Sequence, residues 1–171
     1  MVARWALIVG ERADGRSAIA TRVAEQLTAR GFRVGGFVEE PFEREGTKLG
    51  WDLVRISDGE RRELARVAAE PNLCGYFFRE EVFAEARREL GRDTDVAMLT
   101  AGKLEAQGQG HWPAIAEAMD TQLAVLMIRP YLLSRFALDL PEPVASIELP
   151  ASFSAIDEFV EKIERTLRPP A

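Results

Sequence analysis

At 171 residues, with 47 % apolar and 29 % charged side chains, the chain has the make-up of one globular domain and is too short for a second independent core. A net charge of -6 and a pI near 5.0 argue against a surface that wraps nucleic acid, and the apolar runs, such as Trp5 to Val9 and Leu123 to Ile128, fall short of the roughly 20 residues a membrane span needs. One cysteine, Cys74, rules out an internal disulfide, and with a single histidine, His111, a zinc site built from His and Cys is implausible.

The chain runs from Met1 directly into WALIV, residues 5–9, without a charged stretch and signal-peptide core, so cytoplasmic residence is expected. WALIV is apolar and partly β-branched, the pattern of a buried parallel strand. GERADGRS, residues 10–17, is a glycine turn. From Ser17 the apolar period changes to three and four residues (Ile19, Ala20, Val23, Ala24, Leu27), which predicts an amphipathic helix ending before Gly31. A strand follows over 32–39, and its paired glycines, Gly35 and Gly36, mark a bulge or a close backbone approach. Residues 40–46 read as a polar turn. Residues 47–56 and 60–67, separated by Ser57-Asp58-Gly59, read as a hairpin or small antiparallel addition. A loop spans 68–76.

Helix 79–91 carries Val82, Phe83, Ala86 and Leu90 on one side, and strand 95–99 leads into a glycine-rich loop over 100–110. Helix 113–119 opens on Pro113, which suits a first helical position. Strands follow over 123–128 and 144–149, then helix 154–167 with the stripe Ile156, Phe159, Val160 and Ile163, and a frayed tail at 169–171. Alternating strands and helices predict one α/β domain over 1–171: a three-layer, P-loop-like fold with a mostly parallel sheet and a small antiparallel addition. Ligands of such sheets bind at the carboxyl edge.

Gly10 to Ser17 matches G-x-x-x-x-G-K-[ST] with Arg16 in the lysine position. In that motif backbone N–H groups and the start of the next helix cradle phosphates, a cation reaches the outer phosphates, and the final hydroxyl binds Mg²⁺. Gly10, Gly15, Arg16 and Ser17 are therefore candidates for holding a phosphate, with Ser17 a candidate Mg²⁺ ligand. Arg16 keeps the charge but is planar and longer than lysine. Asp14 adds a negative charge inside the loop. The alternative is a tight strand-to-helix turn without a ligand.

P-loop enzymes commonly end a second strand on a carboxylate that holds Mg²⁺. Here that strand runs into Thr100-Ala101-Gly102-Lys103-Leu104-Glu105. Thr100 offers only a hydroxyl to a metal, Ala101 nothing, and Asp95 lies at the wrong end. Lys103 is a second candidate phosphate contact or an exposed loop lysine. Glu105 and Lys103 are the weak catalytic candidates. His111 reads as a capping or surface residue, and Trp112 as packing the start of its helix or covering a ligand. Glu39, Glu40, Glu43 and Glu45 read as a solvated cluster, the alternative being that one of them coordinates a cation. Trp51 and Asp52 read as lining the mouth of a site, Tyr76 to Phe78 as packing residues, and Cys74 as a small buried side chain. Acidic neighbours dilute Arg61, Arg62 and Arg66.

Over most of residues 5–128 the chain resembles the THEP1-like nucleoside-triphosphatase group of P-loop proteins, closest to its DUF2478 branch. The resemblance rests on Gly10 to Ser17, on Arg30-Gly31 before Val34-Gly35-Gly36-Phe37, on GTKLGWDLVRISDG over 46–59, and on Gly102-Lys103-Leu104-Glu105 with Gly108 and Gly110 beyond. It implies an ATP- or GTP-binding fold with a Mg²⁺ requirement and slow hydrolysis, and for some members a link to molybdate uptake or metal-cofactor genes, hence a protein partner there. Arg16 departs from the lysine of the hydrolytic members, and Thr100 and Ala101 stand where an acidic pair is expected. The expectation is a nucleotide- or phosphate-binding protein with weak or no hydrolysis. The alternatives are a slow Mg-dependent nucleoside triphosphatase and a partner-binding protein with a vestigial nucleotide site.

Overall fold

The structure, a computed structural model, describes residues 3–91 and 93–170. Met1, Val2, Arg92 and Ala171 lie outside it, and with them the start of the chain and the end of the expected frayed tail. The described strands form one sheet in the order β5-β4-β3-β2-β6-β7-β1-β8. These are β1 (Trp5–Val9), β2 (Val34–Arg44), β3 (Thr47–Arg55), β4 (Arg61–Val67), β5 (Tyr76–Phe78), β6 (Val96–Ala101), β7 (Leu123–Ile128) and β8 (Ala145–Glu148). The half containing β2, β6, β7, β1 and β8 is parallel, and β3, β4 and β5 extend β2 as an antiparallel meander. The expected mostly parallel three-layer α/β fold with an antiparallel addition is what the chain adopts.

Strand pleating assigns the layers. Successive side chains point to opposite faces, so Trp5, Leu7 and Val9 of β1 join one apolar core while Ala6 and Ile8 join the other. The first core is closed by α2 (Glu80–Leu90), α3 (Trp112–Thr121) and α4 (Leu133–Ala137), the second by α1 (Arg16–Ala29) and α5 (Phe153–Leu167). The sequence stripe of α5 is the buried one: Ile156, Phe159, Val160 and Ile163. The Ser152 hydroxyl accepts the Ala155 N–H (3.1 Å) and caps that helix. No helix among the described residues is long and apolar enough to cross a membrane.

Four local expectations change. Residues 40–44 are not a turn: β2 continues through Arg44, and the reversal is confined to Glu45-Gly46, both at positive φ. Past Gly36 the strand pairs only with β3, and such a one-sided setting tolerates Pro41. β6 extends to Ala101, so Thr100 and Ala101 belong to the strand and not to the loop. Tyr76 to Phe78 form edge strand β5, with Phe77 exposed and Phe78 stacked on Phe83. Residues 133–137, given no element from sequence, are the short α4.

The paired glycines have a steric cause. A Cβ on Gly36 would lie 2.2 Å from the Met98 carbonyl oxygen, so only glycine lets β2 lie this close to β6. In the parallel half Val9 stands opposite Ile128, and Ile128 opposite Ala101. Gly10, Gly102 and Arg129 therefore leave the sheet at one edge. Gly36 stands opposite Met98, which brings Glu39, three residues on, towards the level of Ala101.

Candidate active site

The P-loop-like turn follows β1 directly. Arg12–Asp14 form a 3-10 turn, and Gly15 at φ +77 starts α1. The Asp14 carboxylate faces back into the turn and accepts the Glu11 N–H (3.0 Å). The Asp14 and Gly15 N–H groups donate to the carbonyls of Glu11 and Arg12. Three loop donors are thus held within the loop, while those that head α1, at Arg16, Ser17 and Ala18, have no acceptor within the helix. The Ser17 carbonyl accepts the Thr21 hydroxyl (3.0 Å). A Cβ on Gly10 would press on Leu149 at 2.8 Å.

Arg16 lies across this loop with only 4 % of its surface exposed, and its Nη1 donates to the Gly10 carbonyl (3.4 Å). Burial lowers its pKa from the ordinary guanidinium value, and the positive charge of Arg129 lowers it further, with Glu39 and Glu11 opposing. Arg16 lines a pocket of about 200 Å³ at the carboxyl edge of the sheet. Thr100, Lys103 and Glu105 from the end of β6 line the same pocket, as do Glu39 from β2 and Arg129 from the end of β7. Its outer wall is aromatic: Trp51, Tyr76, Phe78 and Tyr131. Lys48 stands 4.4 Å and Arg129 5.9 Å from the centre of the Trp51 ring, an arrangement in which the ring quadrupole attracts cations.

Of the residues singled out from sequence, the structure gathers Arg16, Thr100, Lys103, Glu105 and Trp51 around this pocket. Gly10, Asp14, Gly15 and Ser17 are not among its lining residues. Asp52 is not at a mouth. It is buried and ion-paired to Arg61 (3.1 Å) and Arg66 (2.8 Å), and Arg62 pairs with Glu85, so these arginines are neutralised as their acidic neighbours suggest. Trp112 stacks on Phe136 and packs α3. Cys74 is exposed at positive φ and lines the pocket, not the small buried side chain expected.

Two further expectations are overturned. His111 is 1 % exposed, buried at the start of α3 and set edge-on to Phe83 (4.7 Å between centroids). Glu39 is not in a solvated cluster: its Oε1 is 3.4 Å from His111 Nε2. Glu105 is buried as well. Its carboxylate accepts the N–H of Gly102 (2.9 Å) and of His111 (2.9 Å), bridging the two ends of the glycine-rich loop. Burial raises its pKa, the Glu39 carboxylate raises it further, and His111 with the two backbone donors opposes. His111 is missed from sequence because it is alone in its segment, and Glu39 is not singled out from the acidic stretch around it, because its partner lies 72 positions further along the chain. Strand order β2-β6 and the loop closed by Glu105 bring them together.

A glycine turn between a parallel strand and a helix, beside a cationic pocket at the carboxyl edge, defines the architecture of P-loop NTPase-like proteins. The family is then identified by comparison. A family model described as NTPase matches residues 6–139, and the chain belongs to that family. It is 31 % identical over 118 residues to the nucleoside-triphosphatase THEP1 of Ignicoccus hospitalis, covering 67 % of each chain. It is 27 % identical over 133 residues to that of Thermofilum pendens, covering 74 % of this chain and 73 % of the relative. The solution structure of a human cancer-related nucleoside triphosphatase shares the fold, with a TM-score of 0.65 at 20 % identity over 99 % of this chain and 100 % of that one.

Proposed function

We propose that the chain binds a nucleoside triphosphate, ATP or GTP, at the carboxyl-edge pocket and hydrolyses it weakly or not at all. The observation that carries this reading is the pair Arg16 and Arg129. Two guanidinium groups share one pocket, and burial and mutual repulsion disfavour the charge on Arg16. A polyphosphate relieves both, since guanidinium forks match phosphate oxygens. Lys103 adds a third cation at the rim, and Trp51, Tyr76 and Tyr131 offer faces on which a base stacks. The N–H groups that head α1 supply the remaining donors. Nothing in the lining selects adenine over guanine.

The fit to Mg²⁺ is partial. Mg²⁺ takes oxygen ligands, commonly one or two carboxylates together with substrate phosphates. Ser17 has the hydroxyl and would hold the ion with the ligand's own phosphate oxygens, where Mg²⁺ neutralises phosphate charge. β6 ends on Thr100 and Ala101, which bring no carboxylate, and this supports binding over turnover. A slow triphosphatase is the second reading, favoured by Glu39 and Glu105 lining the same pocket. The family resemblance also supports a cytoplasmic protein of the DUF2478 type with a partner in molybdate or metal-cofactor metabolism.

Calorimetric titration with ATP and Mg²⁺, with Arg16→Ala as control, tests the reading. Loss of one or two charge-assisted hydrogen bonds at about 1.5–3 kcal/mol each weakens binding about tenfold to several hundredfold or more. No saturable heat with either ATP or GTP would reject nucleotide binding and leave the vestigial-site reading. Measurable phosphate release that is lost in Glu105→Gln, with binding retained, would establish the hydrolase instead.

A further inference from the structure

From the arrangement of Glu39, Glu105 and His111 we infer that this chain holds a divalent transition-metal ion of the zinc class, bound by the two carboxylates and the imidazole, on the inner wall of the pocket. One carboxylate oxygen from each glutamate and one ring nitrogen of His111 all lie within 4.8 Å of one another. The three side chains come from β2, from the 3-10 turn after β6 and from the residue that precedes α3.

The imidazole is the independent observation. It is 99 % buried, and neither Nδ1 nor Nε2 has a hydrogen-bond partner among the described residues. A buried polar group left unpaired is costly, and such groups in native proteins almost always have a partner. A metal ion is one, because neutral imidazole is a common metal ligand. The Phe83 ring fixes the imidazole plane by its edge-on contact, and the N–H groups of Gly102 and His111 hold the Glu105 carboxylate. Hydrogen bonds of that kind orient metal ligands from behind. They use two of the roughly four lone-pair positions of a carboxylate, leaving the others for a cation.

The geometry and charge agree with this assignment. Zinc bonds of about 2.0–2.1 Å place the ligand atoms of a tetrahedral site roughly 3.4 Å apart. His111 Nε2 and Glu39 Oε1 are 3.4 Å apart. A divalent ion balances two carboxylates that otherwise repel one another in a buried place. One nitrogen and two oxygens favour zinc, iron or nickel over Mg²⁺, which prefers all-oxygen surroundings. Three protein ligands leave a fourth position open, as in zinc sites that handle substrate. Glu39 and Glu105 line the pocket beside Arg16, so that open position gives onto it.

The test is Zn²⁺ titration of the chelator-stripped full chain in competition with a chromophoric chelator, in the absence of nucleotide, so that its outcome is independent of nucleotide binding. The expected result is one equivalent taken up by the wild type, with affinity lowered about tenfold or more in Glu39→Gln and His111→Asn. Glu39 is the decisive variant, because it is partly exposed and its one ion-pair partner among the described residues is His111. Cys74→Ser is the control for the exposed thiol at the pocket, and it leaves uptake unchanged. The inference is overturned if the wild type takes up no Zn²⁺, if uptake is the same in Glu39→Gln, or if Cys74→Ser abolishes it.

Discussion

Gly110→Ala tests whether the glycine-rich loop exists to present Glu105. Gly110 has φ +62, and a Cβ added there would lie 2.5 Å from Glu105 Oε1, 3.1 Å from Leu104 Cβ and 3.2 Å from Glu105 Cδ. A left-handed backbone costs an alanine about 1–2 kcal/mol. A carboxylate on a free side chain would swing away at little further cost. This one is buried and held by the N–H groups of Gly102 and His111, and moving it breaks at least one hydrogen bond to a charged group, about 1.5–3 kcal/mol. The total is about 2.5–5 kcal/mol. Gly108 supplies the internal reference. It has φ +79, and an added Cβ there meets nothing within 4 Å, so Gly108→Ala costs only the backbone amount, about 1–2 kcal/mol. Urea unfolding at neutral pH measures both from the midpoint at constant slope. Equal destabilisation of the two variants, within about 0.5 kcal/mol, would refute the claim that Glu105 is clamped.

Phe159→Ala empties a fully buried position between α5 and the sheet and is expected to cost about 3–5 kcal/mol by chemical denaturation. A loss under about 1 kcal/mol would mean that α5 does not close that core. Asp95 is held below the ordinary carboxylate pKa by hydrogen bonds from the Arg33 side chain and backbone N–H. A carboxyl whose folded pKa is depressed stabilises the fold above its unfolded pKa of about 3.9, and that contribution fades as pH falls through the folded value. The stability difference between wild type and Asp95→Asn is therefore largest near neutral pH and shrinks in acid. A difference independent of pH would remove the linkage.

Much of the fold was written locally. WALIV, DVAML and LAVLMI are β-branched or apolar runs that are buried on both faces, and such runs have few alternatives to an interior parallel strand. The α5 stripe and the Ser152 cap follow from side-chain period and capping chemistry, which act over one or two turns. The P-loop-like turn was legible because a strand, two glycines, a cation and a hydroxyl lie within a few residues of one another. Boundaries fared worse where the partner strand decides. The segment 40–46 reads as a polar turn until β3 is there to pair with residues 40–44, and Thr100 and Ala101 read as loop until β7 extends the ladder.

The sequence by itself determined the layered α/β class, the glycine turn after β1 and the lack of a carboxylate at Thr100 and Ala101, because each is a property of neighbouring residues. Only the tertiary structure decided which charges share the pocket. Arg16 and Arg129 meet because β1 and β7 are adjacent and end level. Glu39, Glu105 and His111 meet because β2 runs beside β6 and Glu105 ties the loop that precedes α3. The identity of a side chain is local, but its burial and its partners depend on elements far away in the chain. That is why a lone histidine and one glutamate of an acidic stretch read as surface, whereas in the fold the glutamate lines the pocket and the histidine is buried behind it.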